Sequence, residues 1–184
     1  NFQQVYEALK AKFGNKLIPV QIPIGSAENF RGVADVITGK AYIDGKEAEI
    51  PAELKDQVEE YYHLLLEAAA ETDDELLTKY LEGEELTKEE VLNGFRKGTM
   101  SNQIVPVMCG SAIKNIGIEA LMKKVVEALP SPADVKPEIA ANPQNNEETE
   151  LKADANGPTA ALVFKTMADP FVGKLTLFRV YSGK

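Results

Sequence analysis

The chain has 184 residues, of which 44% are hydrophobic and 27% charged, a composition that excludes collagen-like, fibrous and disordered proteins. The net charge of −9 argues against non-specific binding to nucleic acid phosphates, so we expect no direct nucleic acid contact. No apolar stretch approaches the roughly 20 residues that span a bilayer, and no signal peptide opens the chain. We therefore expect a soluble, cytoplasmic protein without a membrane partner.

Apolar spacing predicts a short helix at the start of the chain, ending at Gly14. The β-branched residues that follow predict an extended or edge strand, because Pro19 and Pro23 interrupt the run. Further short strands are predicted next, two of them joined by a hairpin at Asp44 and Gly45. The predicted elements are a helix at 2–13 and strands at 17–24, 30–37, 40–43 and 47–50.

The longest periodic segment is an acidic, amphipathic helix from Pro51 to about Thr72. Residues 44–90 hold 17 acids and 4 lysines, so this segment carries the whole negative excess. A helical projection gathers acids on one side of the helix, and we call four of them the acidic ridge: Glu60, Glu67, Glu71 and Asp74. Such a ridge is more often a solvated surface than a docking face for a basic partner.

Two more helices are predicted at 74–81 and 88–100, the second with a capping-box spacing at its start. A short apolar strand at 103–108 then leads into a turn of small residues and a helix that ends near Leu129. Prolines, asparagines and acids predict a linker over 130–157, and the remaining residues predict a β-hairpin. A lone hairpin is only marginally stable, so we expect it to belong to a larger sheet.

No residue in the chain has the setting of a catalytic group. Cys109 is the only cysteine and follows an apolar strand, which favours a packed thiol, while His63 is the only histidine and lacks neighbours for a zinc site. The chain contains neither GxxxxGKS/T nor GxGxxG, so phosphate-binding glycine loops are missing from it. The turn of small residues at 109–115 could bring backbone N–H groups close to a ligand, although it is more often only a tight turn.

Five short motifs in this order resemble the elongation factor G family of bacterial translational GTPases. They are QIPIG at 21–25, KYLEGEELT at 79–87, CGSAIKN at 109–115, LPSP at 129–132 and DPFVGKLT at 169–176. The linker and the shortened hairpin near Asp44 depart from the family pattern. That departure leaves open a paralogue of the factor or a ribosomal protection protein.

The resemblance implies an α/β fold made of three parts. These are the C-terminal part of a P-loop-type GTPase domain, an inserted α+β subdomain, and the first strands of a truncated β-barrel domain. The implied boundaries are 1–16 and 103–129 for the partial GTPase domain, 17–102 for the insert, 130–156 for the linker and 157–184 for the barrel strands.

The resemblance also implies a role for the turn of small residues. In such GTPases the Ala112 N–H would face the oxygen of the guanine base, and Ser111 would steady the loop. The phosphate loop, the switch segments and the magnesium ligand are not in this chain, so no catalytic or metal-binding residue is carried over. GTP with magnesium is implied for the full-length protein, whereas we expect these 184 residues alone to be inactive and to bind no nucleotide.

The implied partners are the ribosome and its stalk protein, which faces the inserted subdomain in this family. Because the globular end of the stalk protein is rich in lysine, the acidic ridge is the candidate docking surface. The implied activity is GTP-dependent ribosomal translocation of tRNA and mRNA. The alternative from another class is a free-standing acidic interaction module that binds a basic protein and never binds nucleotide.

Overall fold

The computed structural model describes residues 1–142 and 144–184, which form a mixed α/β structure of two compact units, Asn1–Leu129 and Pro130–Lys184. The helices of the first unit are α1 (Phe2–Phe13), α2 (Lys55–Ala70), α3 (Asp74–Leu81), α4 (Lys88–Met100) and α5 (Ile118–Ala128). Its strands are β1 (Leu17–Pro19), β2 (Gln21–Ile24), β3 (Gly32–Asp35), β4 (Lys40–Ile43), β5 (Lys46–Ala48) and β6 (Val105–Val107). The second unit contains β7 (Glu138–Ala141), β8 (Glu148–Leu151), β9 (Ala160–Asp169) and β10 (Gly173–Ser182).

The larger sheet of the first unit is antiparallel, with strand order β2-β3-β4-β5. The turn between β4 and β5 places Asp44 at φ 51° and Gly45 at φ 76°. Two successive residues in the left-handed region are what a two-residue hairpin turn requires, and Asp-Gly supplies them at low cost. The predicted hairpin is therefore confirmed.

The segment predicted as one strand over 17–24 is divided between two sheets. β1 pairs in parallel with β6, whereas β2 forms the edge of the larger sheet. Between them, the fully buried Val20 donates its N–H to the carbonyl of Val107 (3.0 Å), and its own carbonyl accepts from Val36 (3.0 Å). The prediction of a single strand is wrong in this respect, because the hydrogen-bonding partner of the backbone changes at Val20. As a result, β1 pairs with a strand from the predicted GTPase part rather than from the insert.

Helix ends in the first unit follow local signals. α4 begins at the predicted capping box, in which the Thr87 hydroxyl accepts from the Glu90 N–H and the Glu90 carboxylate accepts from the Thr87 N–H. Pro51 starts a short 3-10 turn, so α2 proper begins only at Lys55. α2 ends at Ala70, two residues before the predicted end.

α2 lies at the centre of the first unit and contributes to both of its hydrophobic clusters. Tyr61 packs edge-on against Tyr6 of α1 with ring centroids 5.8 Å apart, and the fully buried Leu65 packs in the second cluster with Phe95 of α4. The two helices approach closely at Gly94, where an added Cβ would lie 2.7 Å from the carbonyl oxygen of Ala69. Glycine is thus required there for the packing of α4 on α2.

The second unit contains two antiparallel hairpins, β7–β8 and β9–β10. The predicted hairpin corresponds to β9–β10, whose loop is held by one carboxylate oxygen of Asp169 accepting from the N–H groups of Phe171 (2.8 Å) and Val172 (2.9 Å). β7 and β8 lie inside the segment predicted as a linker, so part of that segment forms an antiparallel hairpin that composition did not indicate. Polar strands with few large apolar residues carry no alternating signal, which is why composition did not reveal them.

Candidate functional site

The turn that follows β6 is closed by its own backbone. Ser111 and Ile116 exchange two hydrogen bonds of 2.9 and 3.0 Å, and the Asn115 N–H donates to the carbonyl of Ala112 (3.3 Å). The Ser111 hydroxyl accepts from the Lys114 N–H at 3.3 Å. Both ends of the turn are thereby fixed, and the Ser111 side chain bonds within the turn rather than outside it.

Ala112 lies at the exposed outer side of this turn, next to the fully exposed Ile113. None of the hydrogen bonds among residues 1–142 and 144–184 uses the Ala112 N–H. A backbone donor that is held in place but has no acceptor in the protein can bind a carbonyl oxygen of a ligand. The arrangement can recognise a ligand but offers no group for covalent chemistry.

Lys114 links this turn to the loop between β2 and β3. Its Nζ donates to the carbonyl of Glu28 at 2.6 Å and to the carbonyl of Ala27 at 3.3 Å. Both acceptors belong to a 3-10 turn, Ala27–Asn29, about ninety residues earlier in the chain. Sequence reasoning did not single out Lys114, because a contact between a lysine and distant carbonyls leaves no pattern in the sequence.

A buried ion pair joins α5 to the larger sheet. Lys124 and Asp35 are each only 3% exposed, and the Lys124 Nζ lies 3.3 Å from one Asp35 oxygen and 2.8 Å from the Glu127 carboxylate. The other Asp35 oxygen accepts from the N–H groups of Ile37 and Thr38, both at 2.9 Å.

Burial acts to lower the pKa of Lys124, but the carboxylates of Glu127 and Asp35 outweigh it and raise the pKa above its usual value. Sequence reasoning missed this pair as well. In the structure Lys124 precedes the buried Ala128 by one helical turn and so lies on the inner face of α5, a face that the apolar spacing of this helix did not indicate.

The four acids of the acidic ridge are all exposed, but they do not share one helix. Glu60 and Glu67 lie on α2 and Glu71 caps its C-terminus, whereas Asp74 is the first residue of α3. The predicted placement of Asp74 on the ridge of α2 is wrong, because α2 ends before it.

The crevice between α1 and α2 brings two of the ridge acids together. Glu67 and Glu71 line this crevice of about 210 Å³, with Lys10 of α1 also in its wall. Asp74 instead lines a separate depression with Glu75, Glu82 and Glu84. Of the four ridge acids, Glu67 and Glu71 thus share one crevice beside α1, and the docking role of the ridge stays a prediction.

The two residues weighed as reactive groups have ordinary structural settings. Burial raises the pKa of the Cys109 thiol to about 12, so the thiol stays protonated at neutral pH. His63 is exposed on α2. Across residues 1–142 and 144–184, no group of His, Cys, Asp and Glu side chains could hold a metal ion, and no helix is long and apolar enough to cross a membrane.

Comparison with solved structures identifies a relative of the whole chain. The crystal structure of a protein from Thermus thermophilus matches all 184 residues with a TM-score of 0.77 and 33% sequence identity. The chain spans 26% of the length of that protein. No family model matches the chain. The mixed α/β fold of the chain is therefore shared with one part of a considerably longer protein.

Proposed function

We propose that the chain is a section of a translational GTPase resembling elongation factor G, which couples GTP hydrolysis to the movement of tRNA and mRNA on the ribosome. The observation that carries the proposal is the turn at Ser111–Ile116. Its closed backbone, its serine contact and its unused Ala112 N–H have the form that guanine recognition requires. The order of the five sequence motifs supports the same assignment.

Two further features agree with a place inside a larger GTPase domain. β1 and β6 form a two-stranded parallel pair, and parallel strands normally lie in larger sheets covered by helices. α5, which follows the turn, leaves apolar side chains of its outer face exposed: Leu121, Met122, Val125 and Val126. An apolar helix face of this kind needs a partner surface.

In the proposed protein, the Ala112 N–H binds the carbonyl oxygen of guanine and Ser111 maintains the turn. The donor is neutral and fixed, so it favours a base with an oxygen acceptor over one with an amino group at that position. GTP with magnesium supplies the phosphoryl chemistry, through segments that this chain does not contain. This chain therefore contributes base selectivity and partner binding rather than hydrolysis.

Calorimetry on the full-length protein tests the proposal with GDP and ADP as ligands. We expect GDP to bind and ADP to bind at least about a hundredfold more weakly, because the adenine amino group would place a donor opposite the Ala112 N–H and the hydrogen bond would be lost. Equal affinities for the two nucleotides would contradict the role of Ala112. A protein that binds neither nucleotide, but still binds a basic partner, would favour the free-standing acidic module instead.

The proposed partner of the insert is the lysine-rich ribosomal stalk protein, docked at Glu67 and Glu71. Complementary charges raise the encounter rate, and salt screens them over a Debye length of about 8 Å at physiological ionic strength. The variant Glu67→Lys with Glu71→Lys is expected to slow association with the stalk protein about tenfold at low salt. The matched control, Glu84→Lys with Glu85→Lys, changes the net charge equally at exposed positions elsewhere.

Stopped-flow association at two ionic strengths measures this effect. If both double variants slow association equally, only the net charge of the insert matters and the docking surface at α2 is refuted. If neither double variant changes the association rate, the acidic ridge is only a solvated surface and not a docking surface.

A further inference from the structure

The turn at Ser111–Ile116 meets the larger sheet just past its C-terminal end, where a Cβ added to Gly117 would lie 3.2 Å from a methyl carbon of Val33. A cavity of about 590 Å³ borders residues 114–117, and its wall includes Tyr42 and Asp44 of the larger sheet. Lys114, Ile113 and Ala112 are all exposed. The outer part of the turn is therefore exposed, whereas its C-terminal end packs close to the sheet at Gly117.

The hydrogen bonds of Lys114 are the direct polar link between the turn and the insert in the described residues. A charged donor at 2.6 Å from the Glu28 carbonyl makes a stronger bond than a neutral one. Glu28 is the middle residue of the 3-10 turn Ala27–Asn29, whereas the Ala27 carbonyl also accepts from the Phe30 N–H at 3.3 Å, so the bond to Glu28 is the stronger of the two.

The loop that supplies these carbonyls is a firm anchor. A Cβ added to Gly25, at φ +81°, would lie 2.1 Å from the carbonyl oxygen of Asn29, so the loop is closed tightly on itself. Backbone hydrogen bonds of Arg31 tie its far end to the sheet, one to the carbonyl of Ile24 (3.1 Å) and one from the N–H of Asp44 (3.0 Å). A link to this loop can therefore hold the more exposed turn in place.

We propose that Lys114 is a positioning residue for base recognition, which fixes the turn against the insert so that the Ala112 N–H stays directed at the guanine oxygen. This inference rests on the proposed function. In this role Lys114 acts through the turn, because its Nζ bonds to the carbonyls of Ala27 and Glu28. It makes base binding depend on the insert, because the carbonyls that hold it belong to the loop between β2 and β3.

Stopped-flow dissociation of fluorescent GDP from the full-length protein tests the inference. Lys114→Met is expected to raise the dissociation rate about tenfold, the effect of losing one charge-assisted hydrogen bond. Lys114→Arg keeps the charge and the donors, and is expected to restore the rate to within about twofold of wild type. Lys123→Met removes a neighbouring exposed lysine that lines the same cavity and forms an ion pair with Glu127 (3.9 Å), but makes no hydrogen bond to the loop between β2 and β3 in the described residues, and is expected to have no effect.

A steady-state assay and hydrogen exchange distinguish positioning from a general structural role. We expect Lys114→Met to raise the KM for GTP while leaving kcat unchanged, and to speed amide exchange at Lys114–Ile116 but not in α2 or α4. A dissociation rate for Lys114→Met equal to that of wild type refutes the inference and leaves the proposed function intact. Wild-type protein that binds no GDP refutes the proposed function, and the inference with it.

Discussion

The buried pair of Lys124 and Asp35 allows a quantitative test of how α5 is held on the larger sheet. Lys124→Met preserves most of the side-chain volume but removes the only cation within 4 Å of the buried Asp35 carboxylate in the described residues. Removing one partner of a buried ion pair typically costs about 3–5 kcal/mol. Because Asp35 keeps its two backbone donors, we expect a loss near the lower limit, about 3 kcal/mol.

Asp35→Asn is the matched partner variant. Its amide oxygen can still accept from Ile37 and Thr38, and Lys124 keeps the Glu127 carboxylate at 2.8 Å. We therefore expect a smaller loss of about 1 kcal/mol, and a double variant that costs less than the sum of the two single variants.

Urea unfolding monitored by circular dichroism measures these free energies in the 184-residue chain. The raised pKa of Lys124 gives the pH dependence its sign: the stabilisation is fully present below the usual lysine pKa of 10.5 and is lost as the pH rises through the higher pKa of the folded state. A loss below about 1 kcal/mol for Lys124→Met, or additive effects in the double variant, would refute the view that this pair fastens α5 to the sheet.

Three other regions give testable expectations. Gly94→Ala should destabilise the first unit by about 1–3 kcal/mol in urea unfolding, because the new methyl would meet the Ala69 carbonyl; a stabilised variant would show that α2 and α4 can move apart freely. Cys109 should resist iodoacetamide at pH 8, since burial raises its pKa to about 12, and rapid alkylation of the folded chain would contradict that burial. Hydrogen bonds from Lys79 and Thr87 lower the pKa of Glu90 to about 2. The stabilisation from ionised Glu90 should therefore be fully present above the unfolded pKa of 4.5 and be lost as the pH falls towards 2. Urea unfolding at several pH values should show a weaker pH dependence of the unfolding free energy for Glu90→Gln than for wild type.

Local signals made much of the fold predictable from the sequence. α3 and α4 begin and end where periodicity and capping residues placed them, since a capping box and an amphipathic face are formed by residues within one turn of each other. The Asp-Gly hairpin is local in the same sense. The division of residues 17–24 between two sheets was not predictable, because it is decided by Val107 and Val36, which are distant in sequence.

The candidate site was predictable only in part. Motif resemblance pointed to Ser111 and Ala112, and their role in base recognition stays a prediction. The contact that holds the turn in place joins Lys114 to a carbonyl 86 residues away, and no periodicity or composition encodes such a pair. Extrapolating one helix past its end misplaced Asp74, because a projection assumes that the helix continues.

Val20 has a mechanical consequence for the first unit. Its N–H donates to Val107 of the parallel pair, and its carbonyl accepts from Val36, which follows β3 of the antiparallel sheet. A single residue is therefore hydrogen-bonded to both sheets. A hinge needs residues that can change φ and ψ without losing hydrogen bonds or packing, and a fully buried, doubly bonded valine cannot do so. Val20 therefore joins the parallel pair and the larger sheet without a hinge at that residue.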